Sequence, residues 1–164
     1  MSALPVLTWL EVLDHLIKLG IAYLLAFPIG WIQERSERSA GIRTFPLVAL
    51  ASCGLMLVAL KVLKGSSEAE ARVLEGLITG IGFIGGGAIL KGRWSAHGTA
   101  TAASIWNVGV IGAASAYGLY DIAAILSLVN VATLRLLAPF KKETVERSDE
   151  GPYGERFGNR EGPS

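Results

Sequence analysis

The fold follows from one uncharged run, GLITGIGFIGGGAIL, which occupies residues 76–90. Nearly every residue in it is glycine or strongly apolar. In water such a run makes a poor helix, because each interior glycine costs about 1 kcal/mol relative to alanine. In lipid the backbone has no water to bond, so a helix is enforced, and its glycines become flat faces for close helix contacts. The run therefore predicts a membrane helix that is packed on several sides.

Glycine spacing predicts where those contacts lie. Gly76 and Gly80 are four residues apart, the small-xxx-small spacing of close helix pairs. Gly82 and Gly86 repeat it. Residues 102–119 form a second span rich in small residues, which we expect to be a neighbour of the first. The predicted packing positions are Gly76, Gly80, Gly82, Gly85, Gly86, Gly87, Gly109 and Gly112.

The same run contains the pattern G-x-G-x-x-G at residues 80–85. That pattern binds dinucleotides when a strand precedes it and an acidic residue follows about 20 positions later. Residues 100–107 carry no carboxylate, and no alternating strand–helix pattern surrounds the run. No Ser/His/Asp set, H-E-x-x-H pattern or cysteine pair is present either. We therefore expect no enzyme activity, no catalytic residue, no cofactor and no resident metal.

The composition indicates a membrane protein. Of the 164 residues, 51% are apolar and 18% are charged, whereas an average soluble domain is about 25% charged. The formal net charge of +1 argues against a nucleic-acid partner. Residues 141–164 mix both signs of charge with glycine and proline, so we expect a disordered cytoplasmic tail there.

About five apolar spans precede that tail, within a predicted transmembrane domain at residues 1–140. The third helix should begin before the membrane, at about Ser67, because a serine cap followed by glutamates suits a helix start. Most spans are near or below the 17–25 residues needed to cross a bilayer. They cover about residues 12–32, 45–60, 73–90, 102–119 and 122–140.

Charge placement separates a membrane bundle from a soluble helical protein with one very apolar core. With the N-terminus outside, eight basic residues fall on the inner side and four on the outer side, as the positive-inside rule requires. We therefore expect an all-α polytopic membrane protein with its C-terminus in the cytoplasm. The inner residues are Arg35, Arg38, Arg43, Lys91, Arg93, Arg135, Lys141 and Lys142, and the outer ones are Lys18, Lys61, Lys64 and Arg72.

Three linked motifs resemble those of a known family. IGWIQER at residues 29–35, with AGIRT at 40–44, is similar to the first cytoplasmic signature of the MgtC/SapB/YhiD family of bacterial membrane proteins. Residues 80–90 resemble its glycine-rich third helix, and Gly98 with TAASIW at 101–106 resembles the entry to its fourth. The resemblance implies a multi-pass inner-membrane protein, in the short form without a C-terminal cytoplasmic domain.

The resemblance also implies a non-catalytic function, linked to magnesium limitation, ion homeostasis and virulence-type stress adaptation through partner membrane proteins. The alternative is a small transporter or channel for Mg²⁺ or another solute. Two glycine-faced helices offer more close-contact surface than five helices can use. We therefore expect a homodimer in the lipid bilayer.

Polar side chains gather at the predicted cytoplasmic mouth. Thr101, Ser104 and Asn107 fall within an arc of about 120° at 100° per residue, so they form a polar stripe on the fourth helix. The stripe either makes interhelical hydrogen bonds, worth about 0.6 kcal/mol each, or binds a solute or ion. Similarly, residues 33–44 form either a solvated loop or a polar collar docked on helix ends. The candidate site residues are Glu34, Arg35, Arg38, Arg43, Thr44, Thr99, Thr101, Ser104 and Asn107.

Overall fold

A computed structural model describes residues 8–36, 40–91 and 96–137, which contain five helices and one short hairpin. The prediction of an all-helical protein with five helices is confirmed. Two of the described helices, the first and the second, are long and apolar enough to cross a membrane. The helices are α1 (Trp9–Ser36), α2 (Thr44–Leu63), α3 (Ser67–Gly87), α4 (Thr99–Ala116) and α5 (Tyr120–Leu136).

The described residues fall into two units, which divide after residue 131, within α5. The described part of the second unit is the end of α5, up to residue 137. The tail predicted at residues 141–164 lies outside the described residues.

The segment after α3 differs from the prediction. The uncharged run predicts helix to residue 90, but α3 ends at Gly87, and β1 (Leu90–Lys91) pairs antiparallel with β2 (Ala96–His97). Three consecutive glycines end the helix, because each is a poor helix former. Gly98 then takes a φ of 89°, and any side chain on it would collide with the Ala88 carbonyl oxygen. The hairpin thus brings the start of α4 back against the end of α3.

α4 is the central helix. It packs against α1, α2 and α3, and most of its residues are buried. Two glycines allow this close approach. A Cβ on Gly109 would collide with the Ile81 side chain of α3, and a Cβ on Gly112 would collide with the Ala49 carbonyl oxygen of α2. The second contact is with backbone, which cannot rotate away.

α3 lies at the edge of the bundle. Its buried residues are Ile81 and Gly85, and a Cβ on Gly85 would lie 3.2 Å from the Ala102 carbonyl oxygen of α4. Within one chain, therefore, α3 is packed on one side and not on several, because its neighbours α2 and α4 leave its outer face uncovered. Its other predicted packing glycines have nothing within 4 Å of an added Cβ, namely Gly76, Gly80, Gly82, Gly86 and Gly87.

α5 is joined to α1 and α4 by side-chain hydrogen bonds. Ser127 Oγ donates to the Leu25 carbonyl oxygen of α1 at 2.7 Å. Asn107 Nδ2, on α4, donates to the Leu126 carbonyl oxygen of α5 at 3.2 Å. Such bonds hold helices together in lipid, where apolar surfaces alone give little preference for one another.

Large apolar side chains cover the outside of the bundle. A soluble monomer rarely exposes contiguous apolar area on this scale. A lipid environment removes the cost, because its hydrocarbon is as apolar as the side chains. The side chains that are at least 60% exposed include Trp9, Leu10, Leu16, Leu24, Leu47, Val58, Val62, Phe83, Ile125 and Leu128.

Candidate functional site

Glu34 fixes the connection between α1 and α2. Its Oε2 accepts a hydrogen bond from the Ile42 backbone N–H at 3.0 Å. Gly41 lies so close to this carboxylate that any side chain there would collide with it. Gly30 lies one turn earlier on α1, and a Cβ on it would come within 3.1 Å of Ile42 Cα and 3.4 Å of Phe45 Cβ. For these residues the geometry is that of a collar docked on a helix end.

The two described arginines of this connection, Arg35 and Arg43, form no ion pair with Glu34. The Arg35 guanidinium lies over the Trp31 ring, 5.3 Å from its centroid. At an exposed site that contact is worth about 0.5–1 kcal/mol. Arg43 is exposed and forms no ion pair with the described residues. Arg38 lies outside the described residues.

A buried polar cluster joins α1, α4 and α5. Thr101 Oγ1 donates to Gln33 Oε1 at 3.5 Å, and Gln33 Nε2 donates to Ser104 Oγ at 3.4 Å. Ser104 Oγ donates to Asn130 Oδ1 at 3.0 Å. Every member is at most 9% exposed. The cluster consists of Gln33, Thr101, Ser104 and Asn130.

The cluster ends in a donor without an acceptor. Among the described residues, Asn130 Nδ2 is the buried side-chain polar atom that has no hydrogen-bond partner. A buried donor left in this state costs about 1–3 kcal/mol. The polar cluster therefore holds one buried donor whose hydrogen-bonding capacity is unused.

The predicted polar stripe on α4 bonds to other helices. Thr101 bonds to α1, and Ser104 bonds to both α1 and α5. Asn107 bonds to the backbone of α5 and does not join the cluster. Thr44 and Thr99 are the first residues of α2 and α4, and neither is a member of the cluster.

Sequence reasoning missed Gln33 and Asn130. Asn130 lies inside the predicted fifth span, where an uncharged amide needs a partner for the same reason as Asn107. The signal that singles out Asn107, an amide inside an apolar span, therefore also singles out Asn130. Gln33 follows the first predicted span and opens the polar segment 33–44, where water could equally satisfy it, so the sequence gives no reason to place it inside.

Metal-binding side chains do not gather in the described parts of the chain. Within residues 8–36, 40–91 and 96–137, no three His, Cys, Asp or Glu side chains come together as they would around a metal ion. Near the opposite end of the bundle, Tyr117 Oη donates to Glu70 Oε2 at 3.4 Å. Partial burial, and then the Glu70 carboxylate, raise the pKa of Tyr117.

Comparison with known proteins matches residues 19–143 to the MgtC family. The chain belongs to the MgtC family. The matched segment includes both the Glu34 collar and the polar cluster. MgtC-family proteins are membrane proteins, which accounts for the apolar outer surface described above. The resemblance noted in the sequence is therefore confirmed.

Individual MgtC-family relatives are about one-third identical to the chain. Protein SrpB of Synechococcus elongatus is 34% identical over 129 residues, 71% of each chain. Protein MgtC of Brucella abortus is 33% identical over 118 residues, 72% of this chain and 49% of that one. Protein SapB of Bacillus subtilis is 33% identical over 121 residues, 70% and 52% respectively. The chain thus spans about half the length of the MgtC and SapB relatives. No solved structure matches it.

Proposed function

We propose that this chain is a non-catalytic, multi-pass protein of the bacterial inner membrane that supports adaptation to magnesium limitation and ion stress through membrane-protein partners. Its N-terminus lies outside and its C-terminus in the cytoplasm. The link to magnesium limitation and to partners rests on the family resemblance. One observation favours a non-transport function: Thr101, Ser104 and Asn107 each bond to a neighbouring helix. An ion pathway needs polar groups that can replace the hydration shell of the ion. Polar groups that already form hydrogen bonds to other helices stabilise the bundle and do not offer free ligands to an ion.

The outer face of α3 is the surface we propose for self-association. Gly82 and Gly86 lie on it, and neither has anything within 4 Å of an added Cβ. At 100° per residue they point about 100–140° away from Ile81, which faces α4. Their spacing allows a second helix to approach closely in lipid. We therefore propose a homodimer in which this face of α3 meets its copy.

A second function is favoured by the unpartnered donor of Asn130. A small solute with an acceptor oxygen would satisfy Nδ2, and so would complete the cluster. In that case the bundle would bind or transport such a solute at the end where α1 stops and α4 starts.

Mg²⁺ flux and growth under magnesium limitation, measured together, separate the proposed function from ion transport. In proteoliposomes, the wild-type protein should give no Mg²⁺ flux above protein-free vesicles. In a deletion strain under magnesium limitation, it should restore growth. Gly82→Leu should reduce that growth, because it blocks the outer face of α3, whereas Leu128→Ala on exposed α5 is the matched control. Robust Mg²⁺ flux that is abolished by Asn107→Leu and Thr101→Val would contradict the proposal and favour ion transport along the polar stripe of α4.

A further inference from the structure

An open groove of about 560 Å³ lies between α2 and α3. On α2 it runs from Arg43 to Leu55, and on α3 it runs from Gly76 to Ile84. Gly76 and Gly80 keep it open, because neither carries a side chain that would fill it. The walls are almost entirely apolar.

The length of the groove matches one leaflet of a bilayer. At 1.5 Å per residue, the two helices line it over roughly 12–18 Å. Half of a 30 Å hydrocarbon core is about 15 Å. The groove begins at Arg43, at the end of the bundle where α2 starts, so it runs from one membrane surface toward the midplane.

The groove and the proposed dimer contact lie on different faces of α3. Gly76 and Gly80 line the groove, whereas the proposed contact uses Gly82 and Gly86. A second copy on the Gly82–Gly86 face therefore leaves the groove open to the bilayer. Its apolar walls match lipid tails, which are as apolar as leucine, so we take a lipid tail as the occupant.

The charge at the mouth of the groove selects the lipid headgroup. Arg43 is the charged residue among those that line it, and the adjacent Thr44 adds a hydroxyl. Glu34 is held on the Ile42 N–H and forms no ion pair with Arg43. A single cation beside anionic lipid is worth about 1 kcal/mol. A lipid with a net negative headgroup would therefore place its phosphate near the guanidinium.

We infer that the groove between α2 and α3 is a binding site for one anionic phospholipid, with an acyl chain along Gly76 and Gly80 and the headgroup phosphate at Arg43. The site is independent of the proposed function, since it requires only that the protein resides in a membrane. It also differs from the polar cluster, which lies between α1, α4 and α5.

Lipid retention tests the site. The protein is reconstituted in equimolar phosphatidylglycerol and phosphatidylethanolamine and purified in mild detergent, and the lipids retained per chain are counted by mass spectrometry. Wild type should keep about one phosphatidylglycerol and less phosphatidylethanolamine. Arg43→Gln should retain about fivefold less phosphatidylglycerol, the factor for one lost cation. Gly80→Leu should lose both lipids, because its side chain fills the groove.

Two variants control for general effects. Arg35→Gln removes an arginine of the same connection that lies over Trp31, and Gly82→Leu adds the same side chain to the outer face of α3. Both should retain lipid as wild type does. Only monodisperse variants with wild-type helical content are compared. Equal retention in wild type and both groove variants would overturn the site, as would equal retention of the two lipids by wild type. The site would also be overturned if Gly80→Leu converted dimers to monomers and still retained its lipid, because the groove would then be a contact between two copies of the protein.

Discussion

α3 and α4 both carry glycines at positions that suit close helix contact, and they use them in opposite ways. The glycines of α4 lie in contacts too tight for a methyl group, whereas most glycines of α3 face open space. α4 is surrounded because α1, α2 and α3 pack on it from several sides, and α3 lies at the edge. Glycine content therefore identifies helices suited to close contact in lipid. Glycine content does not reveal which of these helix contacts form within a single chain.

The largest expected effect comes from adding one methyl group to each helix. Gly112→Ala should lower the free energy of unfolding by about 2 kcal/mol or more, because its Cβ would collide with the Ala49 carbonyl oxygen. Gly82→Ala should leave it unchanged or slightly raised, since alanine is the better helix former. Unfolding in detergent, followed by circular dichroism, measures both. Equal losses would mean that the outer face of α3 is packed within the monomer.

Removing one hydroxyl from each helix gives a smaller contrast. Ser104→Ala should cost about 1–3 kcal/mol, because Gln33 Nε2 and Asn130 Oδ1 both lose their partner in a buried place. Thr79→Ala on α3 is the control, since the Thr79 hydroxyl only bonds back to the exposed Glu75 carbonyl. It should change stability by no more than about 0.5 kcal/mol. A Ser104→Ala variant as stable as the control would show that the cluster does not hold α4 in place.

The smallest effect concerns the contact between the end of α4 and the start of α3. The pKa of Tyr117 is raised in the folded protein, so the phenol is protonated more readily there than in the unfolded chain. The stabilisation of the folded state by the protonated phenol is complete below the ordinary pKa of about 10. It is lost as pH rises through the raised value. Tyr117→Phe should therefore remove a small alkaline destabilisation. The thermal midpoint at pH 7 should change by at most about 2 °C.

Much of the helical architecture could be predicted from local features of the sequence. Ser67 begins α3 as expected. The cap residue, Ser66, makes no side-chain capping hydrogen bond, so the supporting signal is the pair of first-turn carboxylates, Glu68 and Glu70. The hairpin at Leu90 and His97 could not be predicted, since it depends on pairing between two segments that are each only two residues long. Similarly, the spacing of Gly82 and Gly86 defines a face but does not identify the helix that covers it.

The candidate site was predictable in position but not in its partners. The stripe of Thr101, Ser104 and Asn107 follows from helical periodicity alone. Its bonds to Gln33 and Asn130 depend on how α1 and α5 are placed around α4, and no local pattern encodes that arrangement. The sequence places Glu34 in either a solvated loop or a polar collar, and only the fold shows that its partner is a backbone amide.

The chemistry of the polar cluster has one consequence for environmental sensing. Two amides and two alcohols compose it, and none of these groups gains or loses a proton in the physiological range. Acidification therefore leaves the protonation of this junction between three helices unchanged. A response of the protein to acid would have to begin at ionisable groups outside the cluster.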